Sequence, residues 1–383
     1  MGLYGGALPD FPWDSLAEVR QRAASYPAGA VDLTIGSPAD PVPEVIRSAF
    51  TTAADAHGYP ANVGTARLRE EIVSWLIRRR GLDANGPQPG VLPTIGSKEL
   101  IALLPAFLGL GAPDTVGYPA VAYPTYDVGA RLAGATPVPI DIESDPHTWP
   151  KLSLLWLNSP GNPDGHVLDM DQLRRIRQWA KGTGTVIASD ECYGELVWDV
   201  AQAPSILDAW VCEGDLRGLL CVYSLSKQSN LAGYRAAFVA GDPSLIGPLA
   251  EVRKHAGFMV PGPVQAAMVA ALADDAHVER QRARYARRRE ALLEGFIHTG
   301  LVNDPKSVAG LYLWLSAPHS SLTGRQIVSA LAEIGIIATP GDFYGEISAG
   351  YIRVSLTAPD SDIAQAAERL AQFRLPGASE AKL

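Results

Sequence analysis

Lys227 stands in the segment Ser224-Leu225-Ser226-Lys227, directly after the apolar run 219–223, and Arg235 follows in the setting Ala-Gly-Tyr-Arg. A lysine at the mouth of a buried strand is partly desolvated, which favours the neutral amine that forms a Schiff base with an aldehyde. Taken alone, such a lysine is more often an ordinary residue of a surface loop. The segment therefore predicts Schiff-base chemistry only in company with residues elsewhere in the chain.

The spacing Ser224-x-x-Lys227 also matches the serine nucleophile motif of penicillin-binding enzymes. That chemistry requires Ser-Asp-Asn and Lys-Thr-Gly partners, whereas the chain offers Ser-Asp-Glu at 189–191 and Lys-Gly-Thr-Gly at 181–184. The segment also follows a strand instead of opening a helix. Acyl transfer is therefore the weaker interpretation.

Two further polar clusters follow short apolar runs. Asp190 and Tyr193 come after the run 185–188, and Asn162 lies in the turn-forming segment 158–165. An aspartate in such a place can pair with a protonated pyridine nitrogen and keep the ring electron-poor, while the tyrosine and the asparagine can donate hydrogen bonds to a phenolate oxygen. Strand-end capping, packing and a plain turn are the alternative roles for these three residues.

A phosphate group needs hydrogen-bond donors and a positive field. Ser97 and Lys98 follow Gly96 at a strand-to-helix junction, where backbone N–H groups and the helix dipole favour an anion. A plain N-cap is the alternative role for Ser97. The other predicted phosphate ligands are Ser224, Ser226 and Arg235.

Arg353 lies within the strand-like run 351–355, where a cation requires an anionic partner. A substrate α-carboxylate would serve, and so would a structural ion pair. The arginine is a candidate substrate ligand on this ground.

The elements around these residues predict an α/β fold with a mostly parallel sheet. Helical periodicity over 68–80 and 99–108 alternates with short apolar runs, including 152–157, of the kind that is buried on both faces. Ligands sit outside the carboxyl ends of such strands, so the polar clusters should converge in one cleft. Strand-like runs at 310–315 and 351–356 indicate a smaller α+β domain.

The expected division is an arm with part of the small domain over 1–44, a large domain over 45–280 and a small C-terminal domain over 281–383. The arginine-rich stretch 280–289 predicts a solvated helix between the two domains, because acidic residues flank it.

Composition narrows the classes of function. The chain has 383 residues and a formal net charge of −9, which opposes a nucleic-acid partner. Its three cysteines indicate neither a disulfide framework nor a zinc knuckle, and we expect a cytoplasmic protein without a membrane span. The histidines lack metal-binding spacing, so no metal is expected, and no glycine-rich nucleotide signature is present.

In their joint order these residues resemble the aspartate aminotransferase superfamily, the fold-type I enzymes that depend on pyridoxal 5′-phosphate. The resemblance implies that Lys227 holds the cofactor as a Schiff base, that Asp190 pairs with the pyridine nitrogen and that Tyr193 and Asn162 bind the ring oxygen. It further implies that Tyr123 stacks on the ring. The remaining implied ligands are Ser97, Lys98, Ser224, Ser226 and Arg235 for the phosphate, Tyr59 for the phosphate of a partner subunit in a homodimer, and Gly36, Asn162 and Arg353 for the substrate.

Further segments are similar to bacterial N-succinyldiaminopimelate aminotransferases, namely 11–14, 122–127, 253–257 and 259–261. This resemblance implies exchange of an amino group between N-succinyl-LL-2,6-diaminopimelate and 2-oxoglutarate, in lysine and cell-wall synthesis. Lys98 and Lys254 are then candidates for a distal carboxylate. One departure is visible, since the family's Asn-Pro-Thr-Gly is here Asn-Pro-Asp-Gly, with Asp164 near the cleft.

The same scaffold leaves other functions open. Another amino-acid aminotransferase or a C–S lyase is the nearest alternative, because a fold does not fix a function. A regulator that binds the cofactor without chemistry is a third possibility. Such regulators join this domain to a DNA-binding helix-turn-helix, for which too little chain precedes the arm.

Overall fold

The computed structural model describes residues 8–9 and 12–376. Phe11, part of one motif noted above, lies outside the described residues. The helices are α1 (Ala17–Ala24), α2 (Glu44–Thr52), α3 (Ala66–Arg80), α4 (Ser97–Phe107), α5 (Thr125–Leu132), α6 (Met170–Thr183), α7 (Ala209–Cys212), α8 (Leu225–Gln228), α9 (Pro243–His255), α10 (Gly262–Ala273), α11 (Asp275–Phe296), α12 (Gly324–Ala332) and α13 (Asp360–Ala371).

The strands form three sheets within the described residues. They are β1 (Val31–Asp32), β2 (Gly90–Ile95), β3 (Thr115–Pro119), β4 (Thr136–Ile140), β5 (Leu154–Asn158), β6 (Val186–Asp190), β7 (Leu219–Ser224), β8 (Ala236–Gly241), β9 (Val302–Asn303), β10 (Tyr312–Ser316), β11 (Ile336–Ile337), β12 (Thr339–Pro340) and β13 (Tyr351–Ser355).

The central sheet has seven strands in the order β2-β8-β7-β6-β5-β3-β4. All of its strands run in one direction except β8, which is antiparallel to both neighbours. Every residue of β7 and β8 is buried, as expected for strands covered by helices on both faces. The predicted α/β architecture with a mostly parallel sheet is confirmed.

Local sequence signals set where the flanking helices begin and end. In α6, the Asp169 side chain accepts from the Gln172 N–H at 2.7 Å and the Gln172 side chain accepts from the Asp169 N–H at 2.9 Å. This reciprocal capping fixes the first turn, and Gly184 ends the helix in the left-handed conformation at φ 74°. The helix therefore returns the chain to the sheet at a defined point.

Strand register brings the polar clusters together. Asn158 at the end of β5 pairs with Asp190 at the end of β6, and Asp190 pairs with Val222 of β7. Parallel strands in this register place their carboxyl ends at one edge of the sheet. The convergence of the clusters expected from the sequence is therefore found.

The smaller part of the fold combines the antiparallel sheet β12-β13-β10-β9 with α11, α12 and α13. A second hydrophobic cluster fills it, separate from the clusters around the central sheet. The two-stranded parallel sheet of β1 and β11 joins the N-terminal segment to it. The predicted boundary after residue 280 falls inside α11, and the division into 1–44, 45–280 and 281–383 stays a prediction.

The arginine-rich helix differs from its prediction. Arg288 of α11 is 3% exposed and donates to Asp40 Oδ1 at 2.7 Å and to Asp360 Oδ1 at 2.6 Å. The interpretation as a solvated helix is therefore wrong for this face, because partners 72 and 248 residues away neutralise the guanidinium there. None of the helices in residues 8–9 and 12–376 is both long and apolar enough to cross a bilayer.

Candidate active site

A cavity of about 500 Å³ lies at the carboxyl edge of the central sheet. Every residue predicted for the site lines it except Tyr59 and Lys254. These residues are Gly36, Ser97, Lys98, Tyr123, Asn162, Asp190, Tyr193, Ser224, Ser226, Lys227, Arg235 and Arg353. Strands and helices far apart in the chain thus supply a single enclosure.

Lys227 enters the cavity from the short helix α8, which begins directly after β7. Ser224 caps this helix, since its Oγ accepts from the Ser226 N–H at 3.2 Å and donates to Ser226 Oγ at 2.9 Å. The Lys227 Nζ donates to the Gly36 carbonyl at 2.5 Å. A half-buried amine aimed across the cleft is in place to react with a bound carbonyl group. Ser224 is 3% exposed and occupied as a cap, which argues against the serine-nucleophile interpretation.

Asp190 is 6% exposed at the end of β6. Its Oδ2 accepts from the Tyr126 hydroxyl at 2.8 Å and its Oδ1 from the Cys192 N–H at 3.2 Å. Burial raises the pKa of Asp190, and the bonds from Cys192 and Tyr126 offset only part of that rise. Among the described residues no cationic group is within ion-pair distance of this carboxylate, so a cationic ligand group would stabilise its charged form.

Asn162 and Arg353 meet across the two parts of the fold. Arg353 Nη1 donates to Asn162 Oδ1 at 2.8 Å, and Arg353 Nη2 donates to the Thr34 carbonyl at 2.6 Å. The Asn162 N–H donates to Asn158 Oδ1 at 2.8 Å, which fixes the loop to the end of β5. With its oxygen held by Arg353, the Asn162 amide presents its Nδ2 hydrogens to the cavity.

The helix N-terminus at Ser97 forms the other end of the cavity. Gly96, which precedes it, has φ 72°, and a Cβ at that position would lie 2.2 Å from Arg235 Nη2. The Gly96 N–H donates to the Arg235 carbonyl at 2.7 Å. The Arg235 guanidinium therefore lies close to the backbone at Gly96. Lys98 Nζ lies 5.5 Å from the centroid of the Tyr123 ring. Free N–H groups at the start of α4 together with these cations suit a phosphate group.

Two predicted residues lie elsewhere. Tyr59 is 97% exposed and outside the cavity of its own chain, so its contribution to a partner subunit stays a prediction. Lys254 lies on α9, 61% exposed and 3.7 Å from Glu251 Oε2, and does not line the cavity. Its candidacy for a distal carboxylate is therefore wrong, because the helix directs it to solvent.

Among the cavity-lining residues that the sequence does not predict, three matter for the site, namely Tyr126, Tyr312 and Arg20. Tyr126 lies three residues after the predicted ring-stacking Tyr123, in the first turn of α5, and this proximity in sequence is a signal that could have found it. Tyr312 and Arg20 reach the site through long-range packing, which no local pattern reveals. No cluster of His, Cys, Asp and Glu suited to a metal occurs in the described part of the chain.

Comparison with known proteins identifies the family. The family model for aminotransferase class I and II matches residues 28–370. The chain belongs to the class I and II aminotransferases. It is 52% identical over 371 residues to a probable aminotransferase of Mycobacterium tuberculosis, covering 96% of this chain and 87% of that protein.

Two further aminotransferases are informative. The 4-dedimethylamino-4-oxo-anhydrotetracycline transaminase OxyQ of Streptomyces rimosus is 51% identical over 363 residues, covering 95% of this chain and 99% of that protein. A solved structure described as a probable N-succinyldiaminopimelate aminotransferase from Thermus thermophilus has a TM-score of 0.83 at 28% identity, covering 94% of this chain and 100% of the other. Fold-type I architecture and dependence on pyridoxal 5′-phosphate follow from the family.

The cavity fits that cofactor. The buried Asp190 lines the cavity and lacks a cationic partner among the described residues, and Gly96, at φ 72°, lets the chain pass close to the Arg235 guanidinium. At the far end of the cavity, the α4 N-terminus and the serines of the 224–226 turn suit a phosphate. The donor set therefore matches a ring with a basic nitrogen at one side and an anion at the other.

Proposed function

We propose that this aminotransferase exchanges an amino group between N-succinyl-LL-2,6-diaminopimelate and 2-oxoglutarate in lysine and cell-wall synthesis. The observation that carries the substrate class is the buried Arg353, which faces the cavity without a carboxylate partner among the described residues. The likeness to the Thermus thermophilus protein and the motifs at 122–127 and 253–257 support the particular substrate.

Arg353 is built to receive an α-carboxylate. It is 3% exposed, its guanidinium carbon lies 3.9 Å from the Tyr312 ring centroid, and its buried Nε makes no hydrogen bond. A buried guanidinium without an anionic partner is costly in free energy, even when neutral oxygens accept from it. A carboxylate that accepts two of its N–H groups offsets that cost. A bound amino acid would thereby be oriented with its α-amino group near Lys227.

When bound, the cofactor supplies an aldehyde to which amino groups attach and a ring that takes up the electrons of a broken C–H bond. Lys227 would move the proton: once its amine is free, Nζ would take the proton from the substrate Cα and hold it for return within the cleft. The Gly36 carbonyl, 2.5 Å from Nζ, holds the amine at the reacting face.

The other side chains bind and orient. Asp190, held by Tyr126, would pair with the ring nitrogen, and Asn162 and Tyr193 would donate to the ring oxygen. Tyr123 would stack on the ring face. The phosphate would be held by Ser97, Lys98, Ser224, Ser226 and Arg235.

We further propose a homodimer in which Tyr59 of each chain reaches the phosphate of its partner. Its 97% exposure leaves the phenol free for such a contact. The cytoplasm is the proposed compartment, because Cys192, Cys212 and Cys221 are free thiols.

The test is a coupled assay on purified protein with N-succinyl-LL-2,6-diaminopimelate and 2-oxoglutarate, reading glutamate. Cystathionine in a parallel reaction reports C–S lyase activity by pyruvate release. Lys227→Ala should abolish turnover, whereas Lys254→Ala, an exposed lysine on α9, should retain it. Absence of glutamate from the wild-type reaction would exclude the proposed substrate pair, and turnover by Lys227→Ala would exclude the proposed catalyst.

A second candidate substrate is a ring ketone. OxyQ, 51% identical across 99% of its length, is named for a 4-oxo-anhydrotetracycline. The same assay with such a ketone as amino acceptor and glutamate as donor separates the candidates by the ratio of their kcat/KM values.

A further inference from the structure

A second arginine lines the cavity nearer to solvent than Arg353. Arg20 lies on α1, and its side chain keeps 39% exposure. Its Nη1 donates to Asp32 Oδ2 at 2.5 Å and its Nη2 to Thr34 Oγ1 at 3.2 Å. The helix before β1 therefore contributes a cation to the rim of the active site.

Thr34 connects this arginine to the buried one. Its carbonyl accepts from Arg353 Nη2 at 2.6 Å, while its hydroxyl accepts from Arg20. Asp32 holds the same residue, since its Oδ1 accepts from the Thr34 N–H at 2.9 Å and from the Thr34 hydroxyl at 2.5 Å. Two guanidinium groups are thus fixed on the two sides of one residue, the first buried and the second toward the mouth.

The remaining cations of the cavity already have partners in the proposed function. Lys227 reacts, Lys98 and Arg235 face the phosphate, and Arg353 takes the α-carboxylate. Arg20 is the cavity cation that has no role in the proposed function, whereas the residues predicted from the sequence for the distal carboxylate are lysines. A guanidinium carries five N–H donors, of which the two bonds to Asp32 and Thr34 use two.

We propose that Arg20 binds the distal carboxylate of dicarboxylic substrates, glutamate and 2-oxoglutarate, whose α-carboxylate lies on Arg353. This inference rests on the proposed function in taking that pair as amino donor and acceptor. The N–H groups that Asp32 and Thr34 leave over can donate two hydrogen bonds to a carboxylate.

Asp32 allows the same site to accept substrates that have no distal carboxylate. With no distal carboxylate bound, the ion pair to Asp32 leaves Arg20 compensated, so a side chain of different charge enters the same space without facing a lone cation. One cavity can thereby serve two unlike substrates in the two halves of a transamination. Neutralising Asp32 should strengthen the attraction for a distal carboxylate.

The test compares glutamate with alanine, which share the α-amino acid group and differ in the distal carboxylate. Each is mixed with the holoenzyme, and conversion of the cofactor to its amino form is followed by absorbance. For Arg20→Gln, kcat/KM for glutamate should fall by about 10- to 100-fold, the worth of a charge-assisted hydrogen-bonded pair, while alanine changes far less. Asp32→Asn should raise the glutamate-to-alanine ratio of kcat/KM.

Arg22→Gln is the matched control, because Arg22 lies on the same helix but faces Glu333 at 3.3 Å. The inhibition constants of glutarate and pentanoate measure binding at the site independently of amino-group transfer from the inhibitor. Arg20→Gln should weaken inhibition by glutarate and leave inhibition by pentanoate unchanged. Equal losses for glutamate and alanine, or an unchanged glutarate constant, would overturn the proposal. Neither measurement uses N-succinyl-diaminopimelate, so failure of that substrate is a separate result.

Discussion

Tyr126 donates its hydroxyl hydrogen to Asp190 Oδ2 at 2.8 Å, and both side chains are buried. Burial and the neighbouring carboxylate raise the pKa of Tyr126 well above its usual value, so the phenol stays a hydrogen-bond donor. The tyrosine thereby holds Asp190 at the end of β6 and favours its charged form. In the proposed function, Tyr126 therefore acts on the cofactor through Asp190.

Tyr126→Phe should weaken binding of pyridoxal phosphate. The change leaves Asp190 Oδ2 without its donor, which raises the pKa of the carboxyl further and weakens its pairing with the ring nitrogen. A hydrogen bond to a charged group predicts a loss of about tenfold or more in cofactor affinity. Reconstitution of apoenzyme, followed by absorbance, measures it. Tyr118→Phe is the control, since Tyr118 pairs with Asp127 outside the cavity, and equal effects from both variants would contradict the role of Tyr126.

Tyr312→Leu should raise KM for amino acids more than it lowers kcat. The Arg353 guanidinium lies 3.9 Å from the Tyr312 ring centroid, and a buried cation–π contact predicts about a tenfold rise in KM once the ring is lost. Tyr312→Phe keeps the ring and should restore most of the affinity. Steady-state kinetics with glutamate separates KM from kcat, and a loss confined to kcat would argue against positioning of Arg353.

The Gly36→Ala variant should lose much of its activity, although the added group is a single methyl. A Cβ at Gly36 would lie 1.9 Å from the Tyr312 hydroxyl oxygen, so that ring must move, and Arg353 stacks on it. The Gly36 carbonyl also accepts from Lys227. We expect kcat/KM for glutamate to fall, with Gly182→Ala on α6 as the control because no described atom lies within 4 Å of an added Cβ there. Wild-type kinetics in Gly36→Ala would show that the cleft tolerates the shift.

The sequence predicts the site residues at the strand ends of the central sheet far better than those that reach the site from other parts of the fold. Asp190 and Lys227 each follow an apolar run, and parallel topology alone places such residues at one edge of the sheet. Tyr312 and Arg20 come from the small antiparallel sheet and the N-terminal helix, whose placement depends on how separate cores dock. Arg288 shows the same limit: its neighbours in sequence indicate solvent, but Asp40 and Asp360 enclose it.

The contribution of His166 to stability should decrease as pH rises. Burial alone would lower the pKa of His166, but the hydrogen bond to Asp304 and the charges of Asp164, Asp304 and Glu143 raise it above its ordinary value. In the unfolded chain a histidine has a pKa of about 6.5, and below that pH the charged imidazole stabilises the folded state in full. This stabilisation is lost as the pH rises through the higher pKa of the folded state.

Urea unfolding of wild type and His166→Gln at pH 5.5 and pH 8.5 measures this. The difference in unfolding free energy should be larger at the lower pH. His147→Gln, in an exposed short helix, serves as the control for loss of an imidazole. A difference between wild type and His166→Gln that is larger at pH 8.5 would contradict the raised pKa.

Arg80→Met should destabilise the protein by about 3–5 kcal/mol, because it leaves a buried charge without its partner. Arg80 Nη2 donates to Glu191 Oε2 at 2.9 Å, and the two side chains are 3% and 0% exposed. Arg80 Nη1 also donates to the carbonyl of Gly194, so the last residue of α3 binds the neighbour of Asp190 and the neighbour of Tyr193. Denaturant unfolding of the apoenzyme gives the change in free energy without involving the cofactor.

Replacing both members of the pair separates charge from packing. In Arg80→Met with Glu191→Leu no buried charge is left unpaired, so a large part of the lost stability should return. Cofactor affinity should recover less, because the segment after β6 would still lack the bond that Arg80 donates to the Gly194 carbonyl and the bond that the Ile206 N–H donates to Glu191. A double variant no more stable than Arg80→Met would mean that these backbone bonds, and not the ion pair, account for the stability.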